Sequence, residues 1–464
     1  MSGDVLGERQ AIYFDITTSL SWGGAQVGIT RVEREIARRA VQCSRYEVRF
    51  CIYNAASGLY YILTSSFADA VLNKGWWIEL GVARSLPVSQ KRDPKTSGMP
   101  LEFSGSPAQA VMALHREAER MSLRELLDLR RDNPVVPVHT GDAVGLFGLG
   151  QIIDGPVPLN GNTWIVNGGL DWEHKNIRHL RGLKRKTGFH YATIIYDVIP
   201  LLFPQYVVPF YVDLLKRYFG ELFWTADIGI CISRATRFDV QSHLDRWRMP
   251  ALPLVDWPLG SDIPVSGDEP TALPAKLRDK PFLLYVSTIE PRKSHRTIVE
   301  AFDRAVRDEL VPDTAMCVFV GRVGWNSENL LEEIHHNPRI KDRVLVLSGI
   351  SDAELISLYE AARFVVFPSR YEGYGLSLVE GMAMGKACFS GDAGSLREVG
   401  GDAPRYIDPI DIPGWTTALA EAFGDDDLIR SLEARSRSQY SPVSWDQSAR
   451  RFFDLLDAHV GAAR

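Results

Sequence analysis

The segment Phe364–Glu380, FVVFPSRYEGYGLSLVE, has the residue types of a ligand cradle. Four apolar residues end at Pro368. The loop Ser369–Gly375 carries one carboxylate and two glycines, and helical spacing begins near Gly375 and presents Glu380. Gly373 and Gly375 permit close backbone approach, and amides freed at a helix start can face an anion such as phosphate. Glu372 at the loop tip and Glu380, about two helical turns on, would not hold that anion. Carboxylates accept hydrogen bonds, so they suit hydroxyls of the kind a sugar or a ribose carries. Taken in isolation, the same residues also fit an exposed glycine turn with two surface glutamates.

The elements that must position this loop are short apolar runs alternating with helical spacing. In the second half the runs are Phe282–Ser287, Met316–Val320, Val344–Leu347, Phe364–Phe367 and Ala387–Ser390. Between and after them lie the helical segments Arg296–Arg307, Asn329–His335, Asp352–Ala362, Leu376–Met384 and Thr416–Phe423. Such alternation predicts βαβ units and a buried parallel sheet, which binds ligands in the connections after its strands. The first half starts the same way: a strand over Ala11–Ile16, a glycine-rich turn, then a helix with Ile29, Val32, Ile36 and Ala40 on one face. Strands are expected at Val48–Tyr53, Trp164–Val166, Thr193–Tyr196 and Ile228–Ile232, and a helix over Phe210–Phe223. Residues 75–140 interrupt the pattern and are read as an irregular insertion with a helix over Leu114–Leu129. Pro264–Lys276 has linker composition, and Ser444–His459 predicts a terminal amphipathic helix.

At 464 residues, with 45% apolar and 24% charged residues, the chain is long enough for two or three ordinary domains with real cores. Its 52 basic and 58 acidic residues give a net charge of −6, against a role in coating nucleic acid. The charge is uneven: residues 1–265 are net +2 and the remainder net −8. No run of eighteen apolar residues occurs, and Met1–Gln10 lacks the apolar core of an export signal, so a cytoplasmic location is expected. The cysteines, Cys43, Cys51, Cys231, Cys317 and Cys388, are scattered and form no CxxC pair, which favours buried thiols over a zinc or disulfide framework. The ten histidines show no metal-ligand spacing. There is no GxSxG elbow, no Walker A sequence, and no GxGxxG turn with a following acid, which argues against a dinucleotide dehydrogenase.

The stretch Gly349–Asp411 resembles the donor-binding half of the retaining glycosyltransferases of family 4, whose fold is GT-B. The match runs in order through helix, strand, loop, helix, strand and a closing Asp-Pro, with the Glu372 and Glu380 pair at the family's spacing. Residues 286–302, VSTIEPRKSHRTIVEAF, resemble the subgroup with a GTIEPRKN motif, which is similar to bacterial mannosyltransferases of surface polysaccharide assembly. GRVGW at 321–325 is a weaker match. The resemblance implies an α/β chain with two Rossmann-like domains, their parallel sheets facing across a cleft. Residues 1–265 would bind the acceptor, residues 266–440 the nucleotide-sugar, and residues 441–464 would pack back on the first domain.

The resemblance also implies roles. Lys293 would bind the donor diphosphate with Arg292 beside it, where a solvated charge pair is the plainer alternative. Glu372 would accept from donor sugar hydroxyls and Glu380 from the ribose. Gly373, Tyr374, Gly375 and Leu376 would line the phosphates, and the backbone of Gly349 and Ile350 would meet the nucleobase. Many relatives carry an Arg where this chain has Thr288, so the missing cation would come from Arg292 or Arg322. In the first half, SWGGAQVGITRVEREIARR resembles the family's glycine loop, with Gly23 and Gly24 closing over donor and acceptor. YDVIPLLFPQ resembles the HDxIPL segment with Tyr196 in place of His and Asp197 retained, as an active-site group or a strand-end cap. CISRATRFDV predicts a strand and a helix beginning at Ser233, as an N-cap or a ligand.

The implied activity is retaining hexosyl transfer, with GDP-mannose the first choice of donor and a UDP-hexose or a rhamnosyl donor the alternative. The acceptor would be a glycan or lipid-linked glycan. A catalytically inactive nucleotide-sugar-binding protein is the competing reading, favoured by Thr288 and Tyr196. No cofactor and no metal is implied. The basic stretch His174–Lys186, with Lys175, Arg178, Arg181, Lys184, Arg185 and Lys186 and no acid, predicts salt-sensitive contact with an anionic membrane at its inner face, or simply a solvated helix face.

Overall fold

The computed structural model describes residues 10–24, 28–55, 57–79, 135–141, 143–262 and 271–462. The expected Leu114–Leu129 helix, most of the 75–140 insertion, and residues 264–270 of the linker lie outside the described residues. The chain divides into two compact units, Met1–Gly23 with Ile29–Tyr191, and Gly24–Gly28 with Ala192–Arg464.

In the first unit, β1 (Ala11–Asp15) lies between β2 (Glu47–Asn54) and a later strand, β7 (Thr163–Asn167), parallel to both. Its apolar residues have both faces covered, and Ile12, Phe14, Trp164 and Val166 are fully buried. The sheet then turns antiparallel, through β3 (Leu59–Leu63) to β6 (Ile153–Pro156). A separate hairpin pairs β4 (Val135–His139) with β5 (Val144–Gly148). Asp15 and Asn167 end adjacent strands in register. Between them sits the Lys175 ammonium, 2.5 Å from Asp15, 2.8 Å from Asn167 Oδ1, and paired with Asp171. This corrects the reading of Lys175 as part of a surface cationic stretch: its side chain is 2% exposed. The rest of that stretch is a helix, Ile177–Thr187, on which Arg178, Arg185 and Lys186 are exposed.

The second unit opens with three parallel strands, β8 (His190–Ile195), β9 (Ile228–Cys231) and β10 (Leu254–Asp256). A six-stranded, wholly parallel sheet follows: β11 (Phe282–Val286), β12 (Met316–Val320), β13 (Val344–Leu347), β14 (Phe364–Phe367), β15 (Cys388–Gly391) and β16 (Arg405–Ile407). Its spatial order is β13-β12-β11-β14-β15-β16. The order reverses between β11 and β14, where a doubly wound sheet leaves a crevice outside its carboxyl ends. The terminal helix Trp445–Ala462 packs on Trp257, whose indole N–H donates to the Ser448 carbonyl at 2.7 Å and whose ring lies 5.0 Å from Phe452. Among the described residues no helix is long and apolar enough to cross a membrane. Cys51, Cys231, Cys317 and Cys388 are buried.

Candidate active site

The connections after β11 and β14, the two strands at the reversal, carry the charged residues. After β11 a single 3-10 turn, Pro291–Lys293, holds Arg292 and Lys293. After β14 the loop reaches Glu372, which is 6% exposed. Lys293 Nζ donates to Glu372 Oε1 at 2.6 Å, and Arg292 Nη1 to Glu372 Oε2 at 2.9 Å. Burial alone would raise the Glu372 carboxyl, but the two cations overcome it and hold the group down at about 2. Arg292 also donates to the Tyr371 carbonyl at 2.6 Å and to Glu290 Oε1 at 2.7 Å. Burial opposes its charge, and Glu372 and Glu290 outweigh burial and keep it protonated.

The loop itself is tied down by its carbonyls. The Glu372 carbonyl accepts from Ser395 Oγ at 3.0 Å and the Tyr374 carbonyl from the same hydroxyl at 2.8 Å. The Gly373 carbonyl accepts from Ser233 Oγ at 2.7 Å. Among the hydrogen bonds of the described residues, none uses the backbone N–H of residues 372–376. The loop thus turns its acceptors inward and leaves a run of donors at the start of the Leu376–Ala383 helix, an anion-binding arrangement. The two glycines are required by geometry. A Cβ on Gly373 would lie 2.3 Å from the Tyr196 carbonyl oxygen, and Gly375 has φ of +102°, with a Cβ 2.7 Å from Leu396.

Asp197 follows β8 and accepts from the Ile199 N–H at 3.0 Å, as a strand-end cap does. Burial lifts its carboxyl, with Arg292 pulling the other way and the Glu372 charge adding to the rise, so it lies within the field of the same cluster. Thr288 is half-buried beyond β11, Arg322 is exposed beyond β12, and Gly349 and Ile350 form the turn beyond β13, all at the carboxyl end of one sheet. The Arg322 carbonyl accepts from the Ile289 N–H at 2.8 Å. Glu380 lies in the Leu376–Ala383 helix and is 6% exposed, with the Tyr359 hydroxyl 3.4 Å from Oε2. Gly23 belongs to the first unit, where a Cβ would strike the Trp77 indole at 2.4 Å; Gly24 follows on an exposed bend. Ser233 is the N-cap of the Arg234–Trp247 helix, accepting from the Thr236 N–H, while its hydroxyl reaches Gly373.

Sequence reasoning missed Glu290, Ser395 and the Tyr371–Asp239 hydrogen bond of 2.5 Å. Glu290 stood two residues from Arg292 in the same motif and was legible as its partner. Ser395 carried no signal. Among the described residues no group of three His, Cys, Asp or Glu side chains is assembled for a metal.

This architecture is that of the GT-B glycosyltransferases. Sucrose-phosphate synthase from Thermosynechococcus elongatus aligns over 98% of this chain and 100% of its own, with a TM-score of 0.58 at 16% identity. Anabaena HepE in complex with UDP and glucose aligns over 97% and 100%, with a TM-score of 0.54 at 12% identity. Residues 272–437 match the family of glycosyl transferases group 1. The chain is similar to the serotype-specific mannosyltransferase WbdA of Escherichia coli, at 27% identity over 60% of this chain and 35% of that protein. It is also similar to the O-antigen chain mannosyltransferase B of Escherichia coli, at 28% identity over 55% and 67%. The chain spans about a third of the length of the WbdA relatives.

Proposed function

We propose that this chain is a retaining glycosyltransferase of the family 4 type. It would transfer a hexose from a nucleotide-sugar to a glycan or lipid-linked glycan of bacterial surface polysaccharide. Mannose from GDP-mannose is the first choice of donor, in line with the two mannosyltransferase relatives, and a UDP-hexose the second. The observation that carries the reading is the Glu372 loop, with its carbonyls anchored and its amides uncommitted, against Arg292 and Lys293 at the strand-order reversal. Arg292 is engaged by Glu290, Glu372 and the Tyr371 carbonyl, so it holds the loop. Among the described residues Lys293 makes one ion pair, with Glu372, and it is the cation that a donor diphosphate would engage.

In this mechanism the diphosphate exchanges with Glu372 on Lys293, and the released carboxylate accepts from sugar hydroxyls. The bond from the anomeric carbon to the phosphate oxygen breaks, and the acceptor oxygen attacks on the same face. The acceptor proton passes to the leaving phosphate, and no separate strong base is needed. Lys293 and the loop amides stabilise the charge that grows on the leaving group. Asp197 accepts from a donor hydroxyl, and Glu380 serves the ribose. With positive charge supplied by side chains, the reaction is metal-independent.

The test is donor hydrolysis and transfer with GDP-mannose and UDP-glucose, with and without EDTA, and anomeric analysis of the product. Turnover of one donor that survives EDTA and keeps its configuration supports the reading. Binding without turnover instead favours the inactive binding protein that Thr288 and Tyr196 motivate. The basic Ile177–Thr187 helix would bring a lipid-linked acceptor to the cytoplasmic face of an anionic membrane.

A further inference from the structure

The N-cap Ser233 and two residues of the Arg234–Trp247 helix, Thr236 and Asp239, meet the Glu372 loop at three-residue spacing, and neighbouring positions three apart lie side by side on a helix. Ser233 Oγ donates to the Gly373 carbonyl at 2.7 Å, and Thr236 Oγ1 lies 3.2 Å from the same oxygen. One turn further on, Asp239 Oδ2 accepts from the Tyr371 hydroxyl at 2.5 Å. Tyr371 immediately precedes Glu372, and its carbonyl takes the Arg292 hydrogen bond. Its ring rests on Phe203, 4.8 Å between centroids, so the phenol is a lever with its fulcrum in the segment that follows Asp197. Burial and the neighbouring Asp239 charge keep Tyr371 protonated and therefore a donor.

We propose that Asp239 and Tyr371 are positioning residues: their hydrogen bond registers the Glu372 loop against the Arg234–Trp247 helix and so places the Glu372 carboxylate and the loop amides. A hydrogen bond to a carboxylate is roughly twice as strong as a neutral one, which makes it the strongest of the helix's three grips on the loop. The consequence for donor binding rests on the nucleotide-sugar reading; the registration itself does not.

Two backbone amides report the loop's position without any ligand. The Arg370 N–H bonds to the Arg292 carbonyl, and the Ser395 N–H to the Glu372 carbonyl. Hydrogen exchange in the full chain should speed up about tenfold or more at both amides in Tyr371→Phe, which keeps the ring, and in Asp239→Leu. Asp239→Asn, which retains a neutral acceptor oxygen, should exchange at a rate between native and Asp239→Leu, and Tyr371→Phe/Asp239→Leu no faster than either single change. The Trp445–Ala462 helix should be unaffected in all of them. Native exchange in Tyr371→Phe, Asn behaving like Leu, or additive effects in the double variant would overturn the proposal, and Tyr371→Phe alone decides if the Leu variant does not fold. A parallel titration with GDP should show about tenfold weaker binding in Tyr371→Phe and a smaller loss in Asp239→Asn. If the wild type binds neither GDP nor UDP, the nucleotide-sugar reading fails while exchange still decides the registration.

Discussion

Lys175 and Lys293 both meet carboxylates at the carboxyl ends of parallel strands, in different units of the chain, and their surroundings treat them oppositely. Lys175 has a side chain 2% exposed, two aspartates, an asparagine oxygen, and the Tyr60 ring 5.6 Å away. Burial disfavours its charge, and Asp15 and Asp171 win and hold it protonated. Its partner Asp171 is lifted by burial to about 6 in spite of Lys175. Close by, Glu33 is lifted by burial to about 8, against a 2.6 Å hydrogen bond from the Ser19 N–H. Lys293 has a side chain 15% exposed and one carboxylate, and that carboxylate is pulled down to about 2. The first arrangement is closed and filled by the protein's own groups. The second keeps a cation, with one partner, beside uncommitted amides. A buried ion pair alone therefore does not mark a site; the donors left over around it do.

Replacing each lysine separates the two. Lys175→Met should strand Asp15 and Asp171 and cost about 3–5 kcal/mol of stability, read by urea denaturation. Lys293→Ala leaves Arg292 to neutralise Glu372, so its stability loss should be smaller, while transfer falls on the order of 10²-fold, by analogy with loss of one oxyanion donor. Equal effects on stability would erase the contrast. The pH dependence sharpens it. Glu33 has a raised folded pKa, so its contribution is fully present below the ordinary carboxylate range and is lost as pH rises to about 8. Glu33→Gln should flatten the fall of stability between about pH 5 and 8. Glu372 has a depressed folded pKa, so its contribution is present above the ordinary range and is lost as pH falls towards about 2. Glu372→Gln should flatten that acid limb and abolish transfer. The smallest effect expected is on membranes: replacing Lys184, Arg185 and Lys186 by Ser should weaken salt-sensitive co-sedimentation with anionic vesicles and leave nucleotide affinity unchanged.

Legibility differed between the units for physical reasons. In the six-stranded sheet β11, β12, β14 and β15 are buried along nearly their whole length and read as apolar runs, and the half-buried edge strand β13 is apolar as well, so five of its six were visible, together with the loop that Gly373 and Gly375 demand. β16 has three residues, too few for a period. In the first unit β3 and β6 are antiparallel additions, and Gly155 and Pro156 disguise β6 as a turn. Lys175 read as a surface cation because its partners Asp15 and Asp171 stand 160 and four positions away. The bridge from Glu372 to Arg292 and Lys293 spans about eighty residues and has no local trace.

The most direct test of the account is calorimetric titration of GDP into the wild type and into Lys293→Ala. The account predicts saturable one-to-one binding to the wild type and affinity reduced at least about tenfold, or 1.4 kcal/mol, in the variant. Equal affinity in the two proteins would contradict the assignment of Lys293 and the Glu372 loop as a diphosphate site.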